Sequence, residues 1–533
     1  MLRFILLMTL GLAAAIGWNR LQQPKVEILP APPATRWQPE KLLRLIAPQF
    51  PEEPLWIETR LGAVKVEKGQ IEHVAALRDR HTGEELWGVG YSWVGPTNEK
   101  GGRAVLLGFA VVAPPSPHFS GELRYLAPGL GGWEKGNLHA FENTLETRTR
   151  IEAVPFERHS AGFLVQQSAE SALGGRLGRG VLRAFSAGIT GWEKVFEEET
   201  MSRFRPDRTY EVAREARHEM ISPDGGRHHE VALKPTWYIR QLTSRDKGIH
   251  FLAEIAGSLV FRHSSGQFSL DTFLDQNGKR HPVRPAPPIY AIRAPKSPII
   301  DASFDDWESA ELSHIGTVWL EDLELLRYRR RQRRGTHDFS GAARVMWDSQ
   351  ALYIRADVMD DKFRPSEPGY RLFEGDHITL WLDRDLQSDF AQGIRNADDW
   401  QIGLAPTKQG DGLAWAWVPE SGTRGILVAS KPLTDPFDGA LRGYQLEAAI
   451  PWEAVGGRPP LKFLSTPPTT DPRLSLQARR YSLHLAGVLG LTLVLTDADE
   501  RPQEMAFVSA PRFSWGEPRT FNPLFLLDWS RLP

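Results

Sequence analysis

A chain of 533 residues has room for about two or three domains, and 64 Lys and Arg against 66 Asp and Glu exclude the basic balance of a general nucleic-acid binder. Cysteine is absent, which excludes disulfides, thiolate metal sites, c-type haem attachment and lipid anchoring on cysteine. The 18 tryptophans suit both β-sandwich cores and surfaces on which sugar rings stack.

Residues 1–20 open with the basic Met1-Leu2-Arg3, then an apolar run from Phe4 to Ile16 and small residues at Ala15 and Gly17. The run is shorter than the roughly 20 residues a membrane span needs, so it reads as an export segment, either cleaved or kept as an anchor with Trp18 at the bilayer interface. The expectation is a periplasmic, secreted or cell-envelope protein that meets a membrane only through this segment. Residues 21–54 are punctuated by Pro24, Pro30, Pro32, Pro33, Pro39 and Pro48, and predict an extended tether with one short helix at Glu40–Ile46.

From 55 to 285, runs such as RAVLLGFAVVA and IHFLAEIAGSLVFRH alternate with Gly, Pro, Asn and charged turns, which predicts a β-rich domain of unknown function. Asn277-Gly278 marks a hairpin turn, and WEKVFEEETMSRF (Trp192–Phe204) is the best helix. The heptapeptides GLGGWEK (Gly129–Lys135) and GITGWEK (Gly188–Lys194) read as a shared turn or a duplication. A second Pro-rich hinge, His281–Pro288, places a domain boundary at 285/286. Beyond it RVMW, LYIRADV, HITLWL, YQLEAAI, LTLVL and MAFVS have near period-two alternation. The fold class is mainly β: two β-rich domains, the second (286–533) an antiparallel, jelly-roll-like β-sandwich.

In that second domain IIDASFDDW (Ile299–Trp307), AARVMWDSQALYIRADVMDD (Ala342–Asp361), FEGDHITLWLD (Phe373–Asp383), YQLEAAIPWEAVG (Tyr444–Gly456), GLTLVLTDADE (Gly490–Glu500) and SWGEPRTFNPLFLLD (Ser514–Asp528) follow in order. This succession resembles the family-9-like carbohydrate-binding modules. The resemblance implies a β-sandwich whose two aromatic side chains enclose a terminal sugar unit: Phe373, ahead of the strand with Gly375, Asp376 and Asp383, and Trp515, in the last loop. Aromatic faces suit the task because sugar hydroxyls are already hydrated and the C–H face of a pyranose is not. The plainer reading has Phe373 capping the core and Trp515 packing a loop. The resemblance also exposes departures. Thr379 stands where sugar-binding members usually carry Glu, and Ile402 where an Arg often sits. A different sugar, a weaker affinity or a domain kept for its shape would follow.

Trp400, Trp415 and Trp417 are further stacking candidates; the last two alternate along a strand and share a face, a platform if exposed and core if buried. Asp383, Asp385 and Asp389 space oxygen ligands as Ca²⁺ accepts them, and the family resemblance implies structural calcium; a surface turn is the plainer reading. Asp497, Asp499 and Glu500 form a similar turn, and Asp360 and Asp361 close a strand.

The run Arg327–Arg334 is either a solvated loop or a contact for an anionic envelope component, since guanidinium binds phosphate and carboxylate in bidentate fashion. Nucleophile elbows, phosphate loops and His-Glu zinc motifs are absent. His228, His229 and Glu230 are neighbours that a strand would point apart, and Glu197, Glu198 and Glu199 read as a solvated helix face. The expected function is an exported, non-catalytic protein that binds a polysaccharide or envelope glycan and no nucleic acid. The alternative is a glycan-active hydrolase or lyase with its catalytic site in 55–285 and a C-terminal targeting module. A lower alternative is a haem-binding relative of the same sandwich; Met359, Met505 and His377 are of the residue types such relatives use as axial ligands, but nothing in the sequence pairs them.

Overall fold

The computed structural model describes residues 26–532 apart from 34–38, 47–55, 60–61, 66–67, 80–82, 98–102, 115–120, 131–132, 135–136, 139–140, 158–159, 172–175, 189–190, 205–209, 222–229, 242–250, 265–266, 310, 321–324, 329–337, 387–393, 408–409, 421–422, 424, 435–440, 458, 460–478 and 500–501. The export segment, Asp389, Glu500, His228, His229 and Arg329 to Arg334 lie outside the described residues. The chain divides into two compact units, Met1–Pro235 with Phe261–Ser269 and Thr236–Val260 with Leu270–Pro533. No described helix is long and apolar enough to cross a membrane.

The first unit is built on antiparallel pairings. Strand β1 (Val26–Leu29) pairs with β4 (Lys68–Asp79), while β2 (Trp56–Thr59) and β3 (Gly62–Lys65) form a separate hairpin. From β4 the chain meanders through β5 (Glu85–Thr97), β6 (Arg103–Ala113) and β7 (Glu122–Leu130). After the short pair β8 (Trp133–Glu134) and β9 (Asn137–Leu138), β10 (Phe141–Glu157) returns to β6 and begins a second meander. This runs through β11 (Ser160–Ser171), β12 (Arg176–Gly188), β13 (Gly191–Phe204) and β14 (Tyr210–Ile221), and β15 (Glu230–Gln241) follows. Alternation along the β4–β6 strands sends Val74, Trp87, Val89 and Leu106 to one apolar cluster and Phe109 to another, where it meets Phe163 of β11 and Phe185 of β12.

Two expectations for this unit need correction. The Pro-rich stretch is not simply a tether: β1 is a paired edge strand, and the helix Pro39–Ile46 buries Leu42 and Ile46 in the Trp87 cluster. Trp192–Phe204 is strand β13, not a helix, because it pairs with β12 on one edge and β14 on the other. Long-range pairing of this kind overrides the helix propensity of Glu. In the second heptapeptide Gly188, the last residue of β12, pairs with Gly191, the first of β13.

The second unit takes β15 from Thr236 onward, β16 (Phe251–Ile255), β17 (Gly257–Ser264) as far as Val260, β18 (Gln267–Asp275) from Leu270, and β19 (Arg280–Pro282). The Asn277-Gly278 turn joins β18 to β19: Gly278 takes φ +77°, and Asp275 Oδ1 accepts the Asn277 and Lys279 N–H groups, each at 2.9 Å. The sandwich follows with β20 (Ile289–Arg293), β21 (Val318–Leu320), β22 (Leu326–Arg327), β23 (Phe339–Trp347), β24 (Ala351–Asp360), β25 (His377–Asp383) and β26 (Asp399–Pro406). It is completed by β27 (Gly412–Val418), β28 (Leu427–Thr434), β29 (Leu441–Pro451), β30 (Arg479–Asp497), β31 (Met505–Val508) and β32 (Asn522–Leu532).

One sheet runs β28–β29–β24–β23–β20–β32, with β20 parallel to both its neighbours; the other runs β27–β26–β25–β30–β31–β22. The long β30 also pairs with β32, which joins the two sheets. Inward residues of both, among them Val345, Ile354, Ile378, Leu380, Leu446, Leu493 and Leu526, form one core.

The compact units do not divide at 285/286. Strand β16 adds in parallel to β30, and Phe273 on β18 packs 5.3 Å from Phe525 on β32, so these segments group with the sandwich. Nor is His281–Pro288 a free hinge: His281 meets Asp275 at 3.0 Å, and Val283 and Arg284 are buried.

Candidate functional site

Strand β25 turns Ile378, Leu380 and Leu382 into the core, so His377, Thr379, Trp381 and Asp383 lie on its other face. Across that face Thr379 is opposite Gly403 on β26, and Gly403 is opposite Trp415 on β27. The missing side chain at Gly403 matters. A Cβ there would lie 2.4 Å from the Trp417 ring and 2.8 Å from Leu372, so both side chains lie over this glycine. The Trp417 indole N–H donates to the Tyr370 carbonyl at 3.0 Å, tying the 3-10 turn Gly369–Glu374 to β27. Within that turn the Tyr370 ring is 63% exposed and stands edge-on to half-buried Phe373, with centroids 5.7 Å apart.

A second aromatic group forms around Trp381, two residues beyond Thr379. Trp515, 47% exposed, stands edge-on to Trp381 at 5.9 Å and to Phe513 at 5.2 Å, and Phe521 packs beneath. Phe373 therefore joins the Tyr370–Trp417 group and Trp515 the Trp381 group. The indole N–H groups of Trp381 and Trp415 are buried without a hydrogen-bond partner. Replacing Gly403 by Ala is expected to expel Trp417 and Leu372, lower stability by about 1–3 kcal/mol and change the intrinsic tryptophan emission, as checked by thermal unfolding followed by fluorescence.

The remaining sequence candidates fall elsewhere. Trp400 alternates with Gln401 and points inward with Ile402 and Leu404, so it is a core residue and not a stacking surface. Ile402 faces the core too, so Gln401 and Gly403 are the positions on either side of it that face outward. Thr379 is only 2% exposed and presents no hydroxyl to solvent. Trp415 and Trp417 are half-buried, between the platform and core readings. Asp383 is fully buried with its Oδ1 accepting the Asp385 N–H at 3.0 Å, while Asp385 is exposed, so these two serve a turn. Met505 packs in the core and His377 lies on the opposite face of the sheet, hydrogen-bonded to the Gly375 carbonyl at 2.7 Å; they do not converge on one point. Arg327 reaches the Pro511 carbonyl.

Carboxylates converge at one end of the sandwich instead. Asp360 ends β24, Asp376 precedes β25 and Asp497 ends β30; all three are buried, with ligand oxygens within 4.8 Å of one another. Asp360 also groups with Asp361 and Asp499. Asp376 accepts the Ala498 N–H at 3.0 Å and the Arg364 N–H, and Asp360 accepts the Lys362 N–H at 2.8 Å. Burial, reinforced by the neighbouring carboxylates, pushes Asp497 up to about 8, Asp360 up to about 6 and Asp376 well above the usual carboxylate range. The sequence hid this grouping because its members come from separate strand ends. Tyr370 and Trp381 were missed too, although the two-residue spacing from Thr379 was a signal for Trp381.

The sequence from 317 to 527 matches the family described as carbohydrate family 9 binding domain-like. The C-terminal domain is a family-9-like carbohydrate-binding module. Two solved structures of a family 9 module from Caldicellulosiruptor kristjanssonii are similar to the chain. The complex with cellotriose is 18% identical, over 45% of this chain and 93% of that one, with a TM-score of 0.30. The complex with glucose is 17% identical, over 45% and 95%, with a TM-score of 0.28. At such values neither speaks to what this chain binds. No curated protein matches the chain.

Proposed function

We propose that this is an exported, non-catalytic protein whose family-9-like module holds a polysaccharide or cell-envelope glycan against the aromatic outer face of β25–β27. The observation that carries the reading is the pair of aromatic groups on that face, with Tyr370 63% and Trp515 47% exposed and Phe373, Trp415 and Trp417 half-buried. Monomeric proteins rarely leave such rings uncovered together without a partner. The lost selectors fit the same picture. With Thr379 buried and Trp417 and Leu372 over Gly403, the floor of the site is apolar, so stacking on pyranose C–H faces dominates over carboxylate hydrogen bonds.

Export rests on the basic, then apolar, N-terminal residues, and the Arg327–Arg334 run supplies a contact for anionic envelope groups. A glycan array probed with the full chain tests the binding. The expected result is retention on a set of glycans sharing flat pyranose faces; retention on none of them contradicts it. Polysaccharide hits incubated with the protein are expected to yield no new reducing ends, and their appearance would favour a hydrolase.

A further inference from the structure

We propose that the glycan held on the outer face of β25–β27 is anionic: a uronate- or phosphate-bearing saccharide whose ring lies on Trp515 and whose acid group is taken by Arg395. The inference rests on the glycan reading of that face and adds the charge of its ligand. Arg395 and Trp515 come from separate loops, one ahead of β26 and one ahead of β32, which the fold brings side by side. The Arg395 side chain passes over Gly516, where an added Cβ would lie 3.4 Å from both its Cδ and its Nε. Gly516 takes φ +73°, so glycine serves the turn and also leaves the arginine its room. The guanidinium therefore stands one residue along from the half-exposed Trp515 ring, and Arg395 is itself exposed, next to exposed Ile394.

The surrounding charges do not cancel it. Among the described residues no carboxylate pairs with Arg395, whereas Glu517 is held by Arg519 at 2.9 Å and Glu374 by Arg371 at 2.7 Å. Asp399, which follows Arg395 in the chain, is fully buried and accepts the Asn396 N–H at 2.7 Å. Between the two aromatic groups the face presents Thr379, Gln401 and Gly403, none of them acidic, so its floor does not repel an anion. Further arginines adjoin the Trp515 loop: Arg512 is exposed on it, and Arg327 donates to the Pro511 carbonyl. The loop is tied internally. The Phe513 N–H donates to the Ala510 carbonyl at 3.0 Å, the Ser514 N–H to Thr520 Oγ1 at 3.0 Å and the Glu517 N–H to the Ser514 carbonyl at 3.1 Å. Trp515 is thus placed before a ligand arrives, which lowers the entropy lost on binding. A neutral pyranose offers Arg395 only hydroxyls that water already satisfies, but a carboxylate or phosphate accepts two parallel N–H bonds from one guanidinium.

The test is binding of the full chain to glucan, galactan and mannan oligosaccharides, each in neutral, C6-uronate and C6-phosphate form. A charged form is expected to bind about tenfold tighter than the neutral form of the same backbone, and about half-molar salt is expected to remove most of that gain. Which acid gives the gain distinguishes carboxylate from phosphate. Arg395→Gln is expected to abolish the gain, and Arg395→Lys, which keeps the charge but not the planar fork, to retain part of it. Trp515→Ala is expected to weaken the charged form about thirtyfold. Equal binding of neutral and charged forms, or an undiminished gain in Arg395→Gln, would overturn the proposal while leaving the glycan reading intact. Charged forms bound as tightly by Trp515→Ala would reduce the contact to surface charge and equally overturn it. Retention of no form would remove both the proposal and the glycan reading beneath it.

Discussion

Glu447→Ala lowers the stability of the sandwich by about 3–5 kcal/mol, read as a fall of roughly 10 °C in the unfolding midpoint. Glu447 is completely buried on β29 and holds three donors from the segment Ile299–Trp307: the Trp307 indole N–H at 2.6 Å on Oε1, and the Asp301 and Ala302 N–H groups at 3.1 and 3.0 Å on Oε2. Alanine strands all three, and each buried donor without a partner costs about 1–3 kcal/mol. The same bonds hold strained backbone, since Ala302 and Phe304 take φ +57° and +66°. They also seat Trp307 in the cluster with Phe304, Met346 and Tyr353. Glu447→Gln keeps the shape and is expected to lose only about 1–2 kcal/mol, because its amide oxygen can still accept the Asp301 and Ala302 N–H groups while its NH2 leaves the Trp307 indole N–H without an acceptor. An alanine variant within 1 °C of the wild type would contradict this account of the IIDASFDDW motif.

Trp515→Ala is expected to weaken glycan binding by about thirtyfold, the effect of losing a central aromatic anchor worth about 2 kcal/mol. Stability should hardly change, because nearly half of the ring surface is already in water and Trp381 and Phe521 still pack together. Trp400→Ala makes the useful contrast. That ring is only 7% exposed and sits within the core, so its loss opens a cavity costing about 3–5 kcal/mol. Equilibrium binding measured beside denaturant unfolding separates the two. A Trp515 variant that binds normally would remove this ring from the site.

The sequence made legible whatever rests on local pattern. Period-two alternation identified the sandwich strands, Asn277-Gly278 its turn, and the ordered signposts the family of the C-terminal domain. Features that depend on distant partners were hidden. Trp192–Phe204 carries helix-favouring acids, yet two neighbouring strands claim it. Segments before 285 group with the sandwich because β16 and β18 find partners in β30 and β32, long after them in the chain. Alternation alone was enough to send Trp400 and Ile402 inward together, since both are an even number of residues from the core-facing Leu404. The acids at Asp383 and Asp385 have the spacing of ligands but cap a turn, whereas Asp360, Asp376 and Asp497 meet only because β25 and β30 run antiparallel beside the end of β24.

Isothermal titration of the full chain with the best glycan from the array, run in parallel on Trp515→Ala and Tyr370→Ala, reads the outer face of β25–β27 most directly. Saturable heat in the wild type, with affinity reduced tenfold or more in both folded variants, is the predicted outcome. Equal affinity in all three proteins, or no heat with any glycan, would mean that these rings do not hold a saccharide.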